Sequence, residues 1–403
     1  MRKDCPRLAS RIGFFALATG VAVLGFGVPA QAAAISSPQA YFVSNNTNPG
    51  YVTPYNLATG LFGSAIRVGD HPTRSILNPD GSTAYILNYY KGTISVIDTA
   101  TDTVAYTFRP KGLYDDSPYA GVISPEGKTL YITDDSYDAY AINAQTGALE
   151  ATYTLGSSVG TVVDPYNLAI GPTGEHVYVT EYTGGRFFDG ALGIINTSTG
   201  AVMTLTLGTL TLPGALSTVT FRYPYEGIVV SGDTVWLSGS PYDSADGKEG
   251  VGIVGIDTAT GQATRFVELK PSYVTTFNPF YLYLDPAGDY LYMPTDSSSY
   301  GIAQIDTQTG AFRFIPGVAD ADAAAFSGAA LYVDGYTSSG TSTVDVIDAN
   351  PASAHFGTVV STITGAPSGV DSLVLPSRPS RSMIRRSLSR LRRGPTQDRL
   401  LPM

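Results

Sequence analysis

The chain has one cysteine in 403 residues, Cys5, and it stands among the first few positions. Without a second thiol the remaining sequence has no disulfide, no Cys-ligated zinc site and no C-x-x-C-H haem attachment. Histidine is nearly as scarce. His71, His176 and His355 are the only three, far apart in sequence, and they offer no transition-metal cluster. Long hydrophobic runs are missing too: the one extended apolar stretch, Ile12 to Val28, is short for a membrane span, so no transmembrane segment is expected. Charged residues make up 14% of the chain, and acids outnumber bases.

Arg2, Lys3, Arg7 and Arg11 precede or open that apolar stretch, and Ala30-Gln31-Ala32 follows it with small residues suited to cleavage. Residues 1–32 therefore read as a secretory signal peptide, with an extracytoplasmic and cell-wall-associated destination. Cys5 lies in its basic head, away from the cleavage site, and is no lipoprotein anchor. Residues 377–403 form a tail with eight Arg and one acid, in which Ile384, Leu388 and Leu391 fall at helical spacing. A basic amphipathic helix is one reading of it; its abrupt change of composition favours a disordered appendage. With that tail and the leader's four bases and single acid set aside, 12 bases face 32 acids, a net charge near −20. Such a body repels nucleic acid, which is not expected as a partner.

What the sequence does have is repetition. Asp98-Thr99-Ala100-Thr101-Asp102 recurs as Asn143 to Gly147, Asn196 to Gly200, Asp257 to Gly261 and Asp306 to Gly310, with copies at Asn56 to Gly60 and from Asp348. The copies lie 42 to 61 residues apart, which brackets the period of a four-stranded propeller blade. Each follows one strand-like run and precedes another, so it is a hairpin turn whose leading Asp or Asn bonds its own backbone and whose closing Gly accepts positive φ. A second hairpin lies upstream: Asn78-Pro79-Asp80-Gly81, Ser124-Pro125-Glu126-Gly127, Gly171-Pro172-Thr173-Gly174 and Asp285-Pro286-Ala287-Gly288. The strand after it carries an aromatic at one register: Tyr85, Tyr131, Tyr178, Trp236, Tyr292 and Tyr332, with Phe42 fitting the N-terminal copy. Strand periodicity places these rings on one face of each blade as packing residues.

Six complete repeats begin near His71, Ser117, Asp164, Tyr223, Asn278 and Asp320. Three N-terminal strands, about 40–43, 51–55 and 64–68, are left over, together with one C-terminal strand, 370–375. Joined in one sheet they make a seventh blade and cover strand edges that would otherwise invite aggregation. The expected fold is all-β: a seven-bladed β-propeller of four-stranded antiparallel blades over residues 33–376, closed by pairing of its N- and C-terminal strands and monomeric.

Thr129-Leu130-Tyr131-Ile132-Thr133, His176-Val177-Tyr178-Val179-Thr180 and Gly92 to Thr101 resemble the YVTN repeat of YncE-like and archaeal surface-layer propellers, over about residues 40–376. The resemblance implies a seven-bladed propeller in an extracytoplasmic setting. It implies no single activity, because that group includes surface proteins, binding proteins and relatives of lactonases and haem d1 domains. No residue series here maps onto a lactonase, metal-dependent lyase or haem site, and no cofactor is expected.

Propeller ligands commonly sit where the loops entering the innermost strands converge, and these loops share a Pro. In Pro118-Tyr119, Pro165-Tyr166, Pro224-Tyr225 and Pro279-Phe280 an aromatic follows it. Repeat symmetry sets Tyr119, Tyr166, Tyr225 and Phe280 around the channel mouth, with Arg74, Asn167, Glu226 and Asp322 nearby. Such rings with a few polar groups suit a sugar or a peptide; the same rings would also serve as a plug. The resulting expectation is a secreted or cell-surface scaffold for a carbohydrate, peptide or protein partner. The alternative is a hydrolase or lyase on a small lactone or cyclic substrate, with His71 or Glu226 as base and a channel-bound divalent cation. Asp243, Asp246 and Glu249 are the candidates for a cation, although their spacing is not that of an EF-hand.

Overall fold

The computed structural model describes residues 39–45, 48–113, 117–134, 136–156, 163–183, 190–222, 224, 227–270, 281–295, 300–318, 321, 323–336 and 342–375. The expected leader and basic tail lie outside these residues.

Alternating strand residues, cut at regular intervals by Asx–Gly turns, fold into seven antiparallel sheets. Blade 2 shows the plan: Pro72–Leu77 is innermost, followed outward by Thr83–Asn88, Thr93–Asp98 and Thr103–Phe108. Blade 3 begins at Ala120–Ile123, blade 4 at Val163–Ile170, blade 5 at Val219–Arg222 and Ile228–Ser231, blade 6 at Tyr283–Leu284 and blade 7 at Ala324–Ser327. Blade 1 takes its innermost strand, Val370–Val374, from the C-terminal end. That strand pairs antiparallel with Gln39–Ser44, which pairs in turn with Tyr51–Asn56. The two ends of the body thus close the ring in one sheet, as the leftover strands had indicated.

The turns behave as their chemistry dictates. Oδ1 of Asn56, Asn143, Asn196, Asp257 and Asp306 accepts from two backbone amides of its own turn, and the glycine four residues on takes positive φ in each. In blade 2 the last position is Asp102, which holds φ 52° without being glycine.

Seven apolar clusters fill the seams between adjacent blades. Tyr85, Tyr131, Tyr178, Trp236 and Tyr292 each pack toward the following blade, and burying one such ring contributes about 2–3 kcal/mol. Trp236 is accordingly a core residue. In the N-terminal copy the register is off by one: Tyr41 faces blade 2 with Val43, whereas Phe42 faces blade 7. Adjacent strand residues point to opposite faces, so Tyr41, not Phe42, belongs to the series.

Candidate functional site

Two kinds of loop meet at the face where the inner strands begin. One enters each inner strand; the other is the hairpin between second and third strands. In blade 2 this hairpin carries Tyr89 and Tyr90, closed by Gly92 N–H donating to the Tyr89 carbonyl at 3.2 Å. Tyr119 immediately precedes blade 3's inner strand, Tyr166 lies within that of blade 4, and Tyr182 is near the end of blade 4's second strand, His176–Thr183.

These rings form one continuous run. Tyr90 meets Tyr89 at a centroid distance of 5.5 Å, Tyr89 meets Tyr119 at 6.4 Å, Tyr119 meets Tyr166 at 6.3 Å and Tyr166 meets Tyr182 at 6.1 Å. Every contact is edge to face, the arrangement that the ring quadrupole favours. Tyr90 is 66% exposed, and the other four are half-buried, so the run is anchored in the seams yet presents ring surface at the mouth.

His71 continues the run at its open end, stacked on Tyr90 at 4.5 Å and edge-on to Tyr89 at 5.9 Å. Its backbone holds φ 53°, a left-handed conformation costing a non-glycine residue about 1–2 kcal/mol. The His71 carbonyl accepts from Tyr89 N–H at 3.0 Å, which ties the strained residue to the aromatic hairpin.

Arg74, on blade 2's inner strand, donates through Nη2 to the Tyr281 hydroxyl at 2.9 Å, with its guanidinium 4.8 Å from that ring and 5.9 Å from Tyr119. Tyr281 enters blade 6, which does not neighbour blade 2, so this bond spans the central channel. Thr73 Oγ1 adds a bond to the Tyr119 carbonyl at 3.2 Å. Arg74 thereby floors the mouth beside the rings.

Of the residues expected at the mouth, the structure unites Arg74, Tyr119 and Tyr166. Asn167 serves a local purpose there: Oδ1 accepts from Leu168 N–H at 2.9 Å and its own N–H donates to Thr180 Oγ1 at 3.0 Å, within the bulge that shifts register between Pro165 and Leu168. Tyr225, Glu226, Phe280 and Asp322 lie outside the described residues. Tyr89, Tyr90 and Tyr182 lie outside the Pro-linked loops, and Tyr281 follows Phe280 in one of them without sharing the repeated position; the Tyr89-Tyr90 pair at a hairpin tip is the sequence signal for the first two.

Asp243, Asp246 and Glu249 line a separate hollow of about 290 Å3 on blade 5, with Glu268 in its wall. Asp243 Oδ1 accepts from Ala245 N–H at 2.9 Å, so the turn itself engages this carboxylate. Burial, and then the Asp243 charge, raises the Glu268 carboxyl above its usual range. Among the described residues, no group of three or more His, Cys, Asp or Glu is disposed to hold a metal ion.

No known family profile and no curated protein matches the sequence. Solved structures do match its shape. Kuenenia stuttgartiensis hydrazine synthase is similar at 16% identity with a TM-score of 0.58, over 80% of this chain and 98% of that one. The β-propeller domain of Cps50 (Swd1) from Myceliophteria thermophila is similar at 14% identity with a TM-score of 0.52, over 73% of this chain and 87% of that one. The chain is a β-propeller. At these identities the likeness concerns the fold alone.

Proposed function

We propose that the protein is an extracytoplasmic binding module of the YVTN-propeller type that holds a carbohydrate chain across its channel mouth. The observation carrying this reading is the run from Tyr90 through Tyr89, Tyr119 and Tyr166 to Tyr182, which crosses three blades without a break. Tyrosines combine apolar area with a polar edge at low entropic cost, which suits a ligand that alternates C–H faces with hydroxyls. The Arg74–Tyr281 bond across the channel supports a ligand lying over the mouth rather than one threaded through it.

A thermal-shift and calorimetry screen against neutral and acidic hexasaccharides tests this. A sugar present at 100 times its dissociation constant adds about 2.7 kcal/mol of apparent stability, readily seen as a higher Tm. The shift is expected to vanish in Tyr166→Ala and Tyr119→Ala. A shift that survives both, or its absence across the panel, overturns the assignment.

A further inference from the structure

The fourth residue of each YVTN-like strand, three beyond its packing aromatic, is polar and buried in several blades. In blade 2 it is Asn88, whose Nδ2 donates to Ser95 Oγ at 3.0 Å and to Thr93 Oγ1 at 3.1 Å, and whose Oδ1 accepts from Gly69 N–H. In blade 3 Asp134 accepts from Ser136 N–H at 2.9 Å, and in blade 6 Thr295 Oγ1 donates to the Gly301 carbonyl at 2.7 Å.

Blade 4 breaks this pattern. Its residue is Glu181, fully buried, and among the described residues neither carboxylate oxygen has a hydrogen-bond partner. The position matching Ser95, opposite the strand's second residue, is Gly193, where a Cβ would overlap Glu181 Oε1. The longer acid thus fills the space of the missing serine side chain and loses its donor as well. Glu181 shares a strand face with Val177 and Val179, turned to blade 3, and Leu155 of blade 3 packs against the same glycine. The next residue along is Tyr182 of the aromatic run, so Glu181 lies at the mouth end of the seam that the Tyr119–Tyr166 contact crosses.

We propose that Glu181 is a proton-held latch on the seam between blades 3 and 4: protonated, it rests in the apolar interface and keeps the aromatic run joined across it, and ionised, it loosens the mouth end of that seam and weakens binding there. An ionised carboxylate buried in such apolar surroundings has no donor among the described residues to stabilise it, so opening toward solvent is its means of relief. Burial raises the Glu181 carboxyl to about 8, which puts the transition just above neutral pH. Tyr119, Tyr131 and Tyr153 are the titratable groups on the blade 3 faces turned toward it. Asp134, Asp138 and Tyr140 belong to the opposite face of blade 3, that of the cluster shared with blade 2, and blade 4's third strand, Ala191–Asn196, has no ionisable residue. Among the described side chains, no neighbouring charge therefore substitutes for the proton.

The consequence for binding rests on the carbohydrate reading above; the latch itself does not. It is tested with Glu181→Gln and with the double variant Glu181→Asn/Gly193→Ser, which restores the Asn88–Ser95 arrangement of blade 2. Folded protein holds a proton that unfolded protein releases above about pH 4.5, so wild-type stability falls relative to both variants from there to about pH 8 and levels off beyond. The Tm gap should widen by on the order of 5 °C over that interval. Above pH 8, amide exchange at Thr133 and Thr180 should run about tenfold faster in wild type than in either variant at the same pH. Parallel Tm profiles, or equal exchange, overturn the latch. Cellohexaose affinity at pH 6.5 and 8.5 reads the mouth separately. Weakening in wild type alone supports the coupling, and unchanged affinity in wild type overturns it. Absent binding at both pH values, alongside diverging Tm profiles, overturns the carbohydrate reading and leaves the latch in place.

Discussion

The phenol of Tyr41 donates a 2.7 Å hydrogen bond to Asp102 Oδ1, joining the N-terminal strand of blade 1 to an outer turn of blade 2. Gln39 Nε2 donates to the other oxygen at 3.2 Å. Asp102 makes these contacts from a position where blades 1, 3, 4, 5 and 6 carry glycine, and it accepts φ 52° to do so. Burial, reinforced by the bond to Asp102, raises the Tyr41 phenol well above its usual range and keeps it a donor. The strain at Asp102 is thus offset by a tie across the seam next to the ring closure.

Substitutions at this turn separate the two effects. Asp102→Ala loses the bond and retains the unfavourable φ, and is expected to cost about 2 kcal/mol by denaturant unfolding. Asp102→Gly also loses the bond but relieves the backbone, for a net loss of about 1 kcal/mol. An alanine variant no worse than the glycine variant would show that backbone strain is negligible here.

Closure of the ring makes a second prediction. Ser372 Oγ, on the C-terminal strand, accepts from Ser75 N–H at 3.0 Å and lies 2.7 Å from Ser75 Oγ, which binds that strand to blade 2 as well as to its own sheet. Ser372→Ala should lower stability by about 1–2 kcal/mol, through two unpaired polar groups. Deleting residues 366–375 removes the strand altogether and exposes the edge of Gln39–Ser44. Aggregation or oligomerisation on size-exclusion chromatography, with a lost or lowered Tm, is the expected outcome; an unchanged monomer would contradict closure by this strand.

The blades could be read from sequence because their signals are local. An Asx residue and a glycine four positions on suffice to make a turn, and period-two alternation then assigns faces. The same alternation explains the misassignment of Phe42: with one residue of slack at the start of the repeat, both Tyr41 and Phe42 are aromatic and only the neighbouring blade distinguishes them. The mouth was legible in part. Tyr119 and Tyr166 occupy the same place in a Pro-linked loop that repeats, whereas Tyr89 and Tyr90 sit on a hairpin whose length and sequence change from blade to blade, and Tyr281 meets Arg74 from across the ring. Glu181 gave a faint signal as an acid where the repeat has Asn, but its missing donor depends on Gly193, and pairing those two positions requires the register of the blade.

Arg74 and Tyr281 make a third prediction, since a bond across the channel couples blades that share no seam. Arg74→Ala and Tyr281→Phe, taken singly and together, form a double-mutant cycle. The expected coupling is about 1 kcal/mol from the hydrogen bond alone, because phenylalanine keeps the ring under the guanidinium and both groups are half-buried. Additive losses would mean that the guanidinium and the phenol act independently and that the channel is not bridged in solution.

The Asx turns supply a prediction with its control inside the same molecule. Bonds from Thr260, Thr309 and Ser353 lead the causes that lower the carboxyls of Asp257, Asp306 and Asp348 below the ordinary value of 3.8. A carboxyl depressed in the folded state stabilises it above that ordinary value, and the contribution is lost as pH falls through the folded value, so these turns weaken as the pH drops below that ordinary value. Blades 1, 3 and 4 make the same backbone bonds with Asn56, Asn143 and Asn196, which do not titrate. The triple variant Asp257→Asn, Asp306→Asn, Asp348→Asn should therefore match wild type in Tm near pH 7 and lose less stability on acidification to pH 2. Carboxyls raised by burial, such as Asp285 and Asp345, remain in both proteins and cancel in the comparison. Parallel acid limbs would show that the turn oxygens bind equally well with and without their charge.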